Sequence, residues 1–172
     1  MTIETPRGRL RPWRDDDLEA FAAMHADREV MWDAVAPLDR DQSGLKLARY
    51  RQAFARDGFS RWAMEDKAGG FLGYVGVLSL PPDHRLGSGV EIGWRFRRAA
   101  WGRGYATEGA RAALADGFRR FGWPQVLSYT APDNLRSQAV MIRLGLRRDA
   151  ARDFAADDGW AGLVWVADPP AT

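Results

Sequence analysis

A glycine-rich stretch between a strand-like and a helix-like segment is the part of the chain best suited to chemistry. Gly102 and Gly104 lie in the run WGRGYATE, which covers residues 101–108. Such a turn presents several backbone N–H groups at the positive end of a helix dipole, where anions bind. Glycine lets the backbone approach a bulky anion and adopt dihedral angles that a side chain would forbid. We therefore expect a ligand that carries a di- or polyphosphate.

Two common glycine-rich phosphate motifs fit this stretch poorly. The nucleotide P-loop requires a Lys directly after its last glycine, but the only lysines of the chain are Lys46 and Lys67. The dinucleotide motif requires a third glycine three positions after the second, where this chain has Thr107. The pattern by itself therefore leaves open an ordinary turn at the start of a helix.

The segments that flank the turn are more specific, because they follow a fixed order along nearly the whole chain. They comprise residues 9–18, 59–64, 71–76, 91–108, 134–137 and 144–146. Together they resemble the GNAT superfamily of N-acetyltransferases, and above all its branch of ribosomal-protein N-terminal acetyltransferases (the Rim type). The resemblance implies acetyl-CoA as the co-substrate and no metal.

By this resemblance, the glycine turn holds the diphosphate of acetyl-CoA. The family signature Arg/Gln-x-x-Gly-x-Gly/Ala takes the form Trp101-x-x-Gly104-x-Ala106 here. The main-chain cradle is kept, whereas the contact from an Arg or Gln side chain is lost. The implied cofactor-binding residues are Trp94, Arg95, Phe96, Gly102, Arg103, Gly104, Tyr105, Ala106, Thr107 and Asn134.

Two further contacts to the cofactor are implied in the same way. The main chain of residues 94–96 is expected to pair with the pantetheine arm like an added strand. N–H groups of this strand are expected to polarise the thioester carbonyl, as an oxyanion hole does. Asn134 matches an Asn of the family that contacts pantetheine, and it can also cap a helix.

Transfer from a thioester to an amine needs a neutral amine, a polarised carbonyl and a proton for the leaving thiolate. Glu91 lies in the central predicted strand, so it is the candidate base, directly or through a water. The alternative is a structural ion pair or a solvent-facing position on an alternating strand. His84 is a weaker candidate base, and His25 is assigned no chemistry.

The proton donor to the thiolate is a separate question. Many family members have a Tyr seven positions after the Asn, where this chain has Met141. Ser137 matches a Ser that some Rim-type enzymes use instead, with helix capping as its alternative role. Tyr129 and Tyr105 are further candidates.

The acceptor end carries less signal. In the family it is framed by the first helical region and the last strand hairpin. Core packing is expected for most of the large side chains that could line it, which are Trp13, Met31, Trp32, Trp62, Trp160 and Trp165. The pair Trp32-Asp33 is the exception, because an aromatic ring beside a carboxylate can hold a cationic amine.

Composition narrows the class of protein. The chain has 172 residues, enough for one domain with a substantial core, and no cysteine for disulfides or thiol chemistry. We predict a cytoplasmic protein, since there is no bilayer-length apolar run and no secretion signal. No basic block interleaved with aromatics predicts nucleic-acid binding. The expected partners are an acyl-CoA and an amine acceptor, without nucleic acid or membrane, and the expected state is a monomer or homodimer.

Arginines near the turn suit a phosphorylated ligand, because the planar guanidinium binds phosphate as a fork and stays charged. The net charge of the chain is only +2, and nearly all its basic residues are Arg. The group that we single out consists of Arg95, Arg97, Arg98, Arg103 and Arg111.

These patterns predict a mixed α/β fold. Strands are predicted at 8–14, 60–66, 70–80, 88–96, 125–131, 146–154 and 161–167, with a polar turn at 157–159. Helices are predicted after the capping residues Asp15–Asp17, at 42–56 with its end near Gly58, at 106–121 and after Asn134. The expected apolar face of the last helix is formed by Leu135, Ala139 and Ile142. The resemblance implies the GNAT fold, a mostly antiparallel sheet of six to seven strands with a splayed parallel pair and about four helices. We expect one N-acetyltransferase domain over residues 1–172, with its core at 8–167 and a loose tail at 168–172.

Three functions stay open at this stage. The first is an N-acetyltransferase that acts on a primary amine, whether a protein N-terminus, an amino acid, a polyamine or an antibiotic amine. The second is an acyltransferase that uses another acyl-CoA, such as succinyl-CoA. The third is a non-catalytic CoA-binding sensor or interaction domain.

Overall fold

The computed structural model describes residues 1–156 and 159–170. In these residues it has four α-helices: Asp17–Ala26 (α1), Arg40–Asp57 (α2), Tyr105–Phe121 (α3) and Leu135–Arg143 (α4). The strands of the same residues are Ile3–Glu4 (β1), Gly8–Arg11 (β2), Arg61–Asp66 (β3), Phe71–Ser79 (β4), Val90–Phe96 (β5), Val126–Thr130 (β6), Arg147–Arg148 (β7), Phe154–Ala155 (β8) and Ala161–Ala167 (β9).

The sheet is antiparallel except at one place. Its order is β1-β2-β3-β4-β5-β6-β9-β7, with β8 paired to β9. β5 and β6 run parallel, and Glu91 opposite Leu127 is their one registered pair in the described part of the chain. The predicted mixed α/β class, the four helices and the parallel pair are thus confirmed. β1, β7 and β8 are only two residues long, which leaves six longer strands.

The prediction of one continuous strand at 146–154 was wrong. The segment forms β7, a short 3-10 turn and β8 instead of one strand. There the Asp149 N–H donates to the carbonyl oxygen of Val164 on β9 at 2.9 Å, and the Asp153 carboxylate accepts from the Val164 N–H at 2.9 Å. Because a side chain takes one of these ladder positions, the strand is interrupted. The predicted turn at 157–159 falls partly on residues 157 and 158, which lie outside the described residues, as do residues 171 and 172 of the predicted tail.

The two faces of the sheet carry different helices. α3 packs closely on one face, because Gly109 has no side chain there. A Cβ at Gly109 would lie 2.7 Å from Val75 Cγ1 and 2.9 Å from Met64 Sδ. Trp13, Phe21 and Tyr50 form a second buried cluster with Tyr74 under α1 and α2. Helices therefore cover both faces of the sheet. A ligand can reach the main chain of a strand where neighbouring strands separate.

Two local predictions for the helices were wrong. Asp16 occupies the N-cap of α1 without a side-chain hydrogen bond, and Asp17 turns away to bind Arg11 at 2.7 Å. On α4, Leu135 and Ile142 belong to the predicted apolar face but are 71% and 62% exposed. Val140 and Met141 are buried in their place. Among the helices of the described residues, none combines the length and the apolar character that crossing a bilayer requires.

Candidate functional site

The parallel strands β5 and β6 separate beyond their single registered pair. Directly after it, the Ser128 hydroxyl donates to the Ile92 carbonyl at 3.0 Å, so a side chain replaces the main-chain ladder. A cavity of about 1400 Å³ opens along β5, between α3 and α4. Its lining includes Trp94, Phe96 and the whole predicted glycine turn. The splay that the resemblance implied is therefore present, and it is open.

The glycine turn forms the N-terminus of α3. Gly102 and Gly104 have φ of 69° and 79°, in the left-handed region that favours glycine. Gly104 is the N-cap and has no side chain to satisfy the free amides of the helix. The first hydrogen bond of the helix runs from Glu108 N–H to Gly104 O at 3.0 Å. The amides of residues 105–107 therefore have no acceptor within the helix, and these residues line the cavity.

Trp101, at the first position of the signature, ties this turn to the end of β5. Its indole Nε1 donates to the Phe96 carbonyl at 2.7 Å. The guanidinium carbon of Arg136, from α4, lies 4.3 Å from the centre of the indole ring. Trp101 thus supplies a structural link between three elements at the cavity mouth, where the common signature has Arg or Gln.

Successive residues of β5 direct their main-chain N–H and C=O groups to opposite sides of the strand. Arg97 N–H donates to Leu72 O at 3.0 Å, and Ile92 O accepts from β6. By this alternation, the main-chain groups of Trp94 and Phe96 point into the splay, whereas those of Arg95 point to β4. The Phe96 carbonyl is used by Trp101, so Trp94 offers both its groups to a ligand and Phe96 offers its N–H.

Arg7 belongs to the site but was missed by the sequence analysis. Its main-chain N–H and its Nε donate to the two carboxylate oxygens of Glu108 at 2.8 and 2.7 Å. Its guanidinium carbon lies 4.8 Å from the centre of the Tyr105 ring. Arg7 thereby neutralises an acidic group in the first turn of α3. No local signal could have shown this, because the contact joins residues 101 positions apart.

The charge of Glu108 matters for any anion in the cradle. Burial would raise the pKa of Glu108, but hydrogen bonds from Arg7 and from the Thr5 hydroxyl hold that pKa below its ordinary value. Glu108 is therefore an anion, and Arg7 is its counterion. Of the predicted arginines, Arg95, Arg103 and Arg111 line the cavity together with Arg7, Arg136 and Arg143. Arg98 instead binds Asp27 and Glu29, at 2.7 and 3.0 Å.

Asn134 and Ser137 meet at the start of α4 and both line the cavity. The Asn134 side-chain oxygen accepts from Ser137 N–H at 3.1 Å, which is the capping bond. The cap leaves the side-chain NH₂ of Asn134 free to donate to a ligand. Met141, where many relatives have Tyr, is buried in the core. Tyr105 lines the cavity as well, under the guanidinium groups of Arg7 and Arg103.

Glu91 lies at the closed end of the splay, opposite Leu127. Its carboxylate forms an ion pair with Arg61, and the two side chains are 13% and 8% exposed. The structural ion pair named as its alternative is thus present, together with a location beside the splay. Burial and the charge of Glu91 raise the pKa of nearby Tyr129 to about 12, against the opposing charge of Arg61. Tyr129 therefore keeps its proton at neutral pH.

The remaining candidates lie further from the cradle. Asp33 is bound by Arg95 at 2.8 Å, so its carboxylate already has a cation, while Trp32 is 45% exposed and lines the cavity. The His84 ring packs against Tyr129 in a tilted arrangement, with ring centres 5.5 Å apart. His25 is fully buried, and its Nδ1 lies 2.9 Å from Phe21 O. In the described part of the chain, no cluster of three or more His, Asp or Glu side chains is arranged to hold a metal ion.

Comparison with known proteins places this geometry in a family. The sequence profile described as "Acetyltransferase (GNAT) domain" matches residues 7–147. The uncharacterized protein YkkB of Bacillus subtilis is 33% identical over 146 residues, which are 84% of each chain.

Solved structures agree with this match. An acetyltransferase from Agrobacterium tumefaciens superimposes with a TM-score of 0.83 at 25% identity, over 97% of this chain and 94% of that one. RimJ of Mycobacterium smegmatis, solved with a CoA disulfide, superimposes with a TM-score of 0.77 at 19% identity, over 98% and 87% of the two chains. The structural neighbours thus include Rim-type proteins, and the profile match over most of the chain shows that this protein belongs to the GNAT family of acetyltransferases.

Proposed function

We propose that this protein transfers the acetyl group of acetyl-CoA directly to a primary amine, which is a protein N-terminus or a small-molecule amine. The observation that carries the proposal is the cradle of free amides at the N-terminus of α3, which opens into the cavity along the splayed strands. A helix N-terminus with unpaired amides binds phosphate groups without further adaptation. The whole of residues 1–172 is proposed as one domain with a cytoplasmic location.

The fit of CoA to this cavity rests on three features of the described residues. The amides of residues 105–107 need acceptors, which diphosphate oxygens would supply. Arg7, Arg103 and Arg111 place positive charge around the same opening. Ala112 and Ala115 on α3 and Ala139 on α4 add small apolar side chains to the cavity lining, which would suit an adenine ring.

The exposed apolar residue Leu135 has an explanation in the same proposal. Leu135 and Ala139 both line the cavity, and Leu135 is 71% exposed. A bound nucleotide would remove them from water and gain about 25 cal/mol for each Å² of apolar surface that it covers. The part of the predicted apolar face of α4 formed by Leu135 and Ala139 is thus proposed to contact the ligand, whereas Ile142 does not line the cavity.

In the proposed reaction, the amine nitrogen forms a bond to the thioester carbon and the carbon–sulfur bond breaks. The amine loses one proton, and the thiolate gains one. Trp94 N–H is proposed to donate to the carbonyl oxygen, where negative charge develops. Glu91 is the proposed acceptor of the amine proton, and Ser137 the proposed donor to sulfur. Asn134 would hold the pantetheine arm through its side-chain NH₂.

A thiol-release assay with acetyl-CoA tests this proposal across a panel of peptides, amino acids, polyamines and aminoglycosides. We expect thiol release that depends on one class of amine, with an acetylated product of matching mass. Succinyl-CoA is run in parallel, and faster release from it would change the proposed acyl group. Tight CoA binding without transfer to any amine would replace the enzyme by a CoA-binding sensor.

A further inference from the structure

Arg61 reaches across three strands to the candidate base. It begins β3, lies opposite Gly76 of β4, and Gly76 in turn lies opposite Gly93 of β5. The Arg61 guanidinium donates to the carbonyl oxygens of Gly76 and Glu91 and to the Glu91 carboxylate oxygen Oε1. One buried side chain thus binds both the main chain and the side chain of Glu91.

Gly93 provides the space for this guanidinium. A Cβ at Gly93 would lie 2.8 Å from Arg61 Nη2, which is closer than real Cβ contacts, and 3.2 Å from its Cζ, which is tight. The Arg61 main chain is anchored too, because the Trp13 indole donates to its carbonyl at 2.7 Å. The guanidinium is therefore held between Gly93 of β5 and the layer formed by α1 and α2.

Burial and neighbouring groups act on Arg61 in opposite directions. Burial lowers the pKa of Arg61, but the charge of Glu91, followed by Tyr50 and Tyr74, raises that pKa above its ordinary value. Of the two Glu91 carboxylate oxygens, Oε1 is bound by Arg61, and Oε2 has no hydrogen bond among the described residues. The titratable and charged groups that face the pair or its phenol neighbours are Lys46 and Tyr50 from α2, Tyr74 from β4, Arg95 from β5, Tyr129 from β6, His25 from α1 and His84 from the loop before β5.

We propose that Arg61 is the positioning residue for Glu91: it holds the carboxylate by Oε1 and leaves Oε2 to take the proton of the acceptor amine, directly or through a water. This inference rests on the proposed acetyl transfer. A guanidinium bound to one oxygen holds the carboxylate in one orientation. The Arg61–Glu91 pair then acts as one unit, which predicts that removing either member costs about the same.

The test compares Arg61→Met, Arg61→Lys, Glu91→Gln and the double variant Arg61→Met/Glu91→Gln in acetyl transfer at saturating acetyl-CoA. We expect Arg61→Met and Glu91→Gln each to lower kcat about 100-fold, with KM for acetyl-CoA unchanged, since one acid–base group contributes at least that factor. The double variant should be no worse than either single variant, because residues that act as a unit are not additive. Arg61→Lys should recover part of the rate. Arg56→Met, which removes an exposed partner of Asp57, is the control.

The split between kcat and KM separates positioning from mere support of the fold. A guanidinium that orients Glu91 should change kcat and leave KM for acetyl-CoA unaltered, and Arg61→Lys should recover part of kcat because it returns a cation beside the Glu91 carboxylate. If Arg61→Met does not fold, Gly93→Ala displaces the same guanidinium with both ionic groups retained and should also lower kcat.

Two results overturn the inference. The first is a folded Arg61→Met with wild-type kcat, and the second is a double variant whose losses multiply. If the wild type acetylates an amine and these results appear, Arg61 is not a positioning residue but the proposed function stands. If the wild type binds CoA and acetylates nothing in the panel, the proposed function fails and this inference fails with it.

Discussion

Replacing Gly104 by Ala isolates the role of the turn in binding CoA. Gly104 has φ of 79° and ψ of 3°, and a Cβ there would lie 3.1 Å from Arg7 Nη2. A left-handed conformation costs an Ala about 1–2 kcal/mol. If the turn relaxes to avoid that cost, its amides leave the geometry that holds the diphosphate. Binding must then restore the strained turn, which raises the Kd for CoA by roughly 5- to 30-fold.

Gly122→Ala is the matched control. Gly122 caps the other end of α3 with φ of 60°, and a Cβ there would meet nothing within 4 Å. This variant has the same kind of backbone strain but lies away from the cavity. Isothermal titration of CoA into both variants should show weaker binding only for Gly104→Ala, while thermal unfolding shows both destabilised. Gly104→Val should weaken binding further, because a β-branched residue is a strong outlier in this conformation. Wild-type Kd in Gly104→Ala, or an equal loss in Gly122→Ala, would refute the reasoning.

Three further predictions concern other parts of the chain. Arg7→Ala leaves the Glu108 carboxylate unpaired beside the cradle and should raise the Kd for CoA about 3- to 10-fold. Adding Glu108→Gln should restore part of the affinity. If neither change alters the Kd, Arg7 does not belong to the site. Burial lowers the pKa of His25 to about 4 from 6.5, so the unfolded state binds more protons between these values and stability falls as pH drops through them, by at most about 3 kcal/mol. The free energies of unfolding of wild type and His25→Gln, measured with urea, should therefore diverge between pH 6.5 and about pH 4 and differ by a constant amount above that range. An equal pH dependence of the two proteins would contradict the assignment. Gly117→Ala should lower the Tm because its Cβ would lie 2.1 Å from the Trp123 ring, whereas Gly44→Ala, with its nearest atom at 3.8 Å, should raise stability by about 0.5–1 kcal/mol; the reverse order would show that α3 has room at this position.

The glycine turn could be predicted from the sequence because its signals are local. The two glycines lie directly between the strand pattern that precedes them and the helix pattern that follows. Asn134 as a helix cap and Gly58 as the end of α2 were likewise local, and both are observed. Such features depend on backbone conformation and on neighbours a few residues away.

The partners of the charged residues could not be predicted in the same way. Arg7 meets Glu108, and Arg61 meets Glu91, across 101 and 30 positions of the chain. Only the registers of β3, β4 and β5 bring Arg61 to Glu91, and the sequence does not give these registers. Leu135 and Ile142 were assigned to an apolar helix face by their spacing, but periodicity does not show whether such a face is buried. Both are exposed, and of the two Leu135 lines the cavity. β7 and β8 escaped prediction as separate strands since Asp149 and Asp153 have no local pattern that marks the break.

A crystal structure of this protein with CoA is the most direct test of the central claim. The claim predicts diphosphate oxygens within about 3 Å of main-chain nitrogens in residues 102–107, with the pantetheine arm between β5 and β6. Density for the diphosphate at another surface, with these amides bound only by solvent, would contradict it.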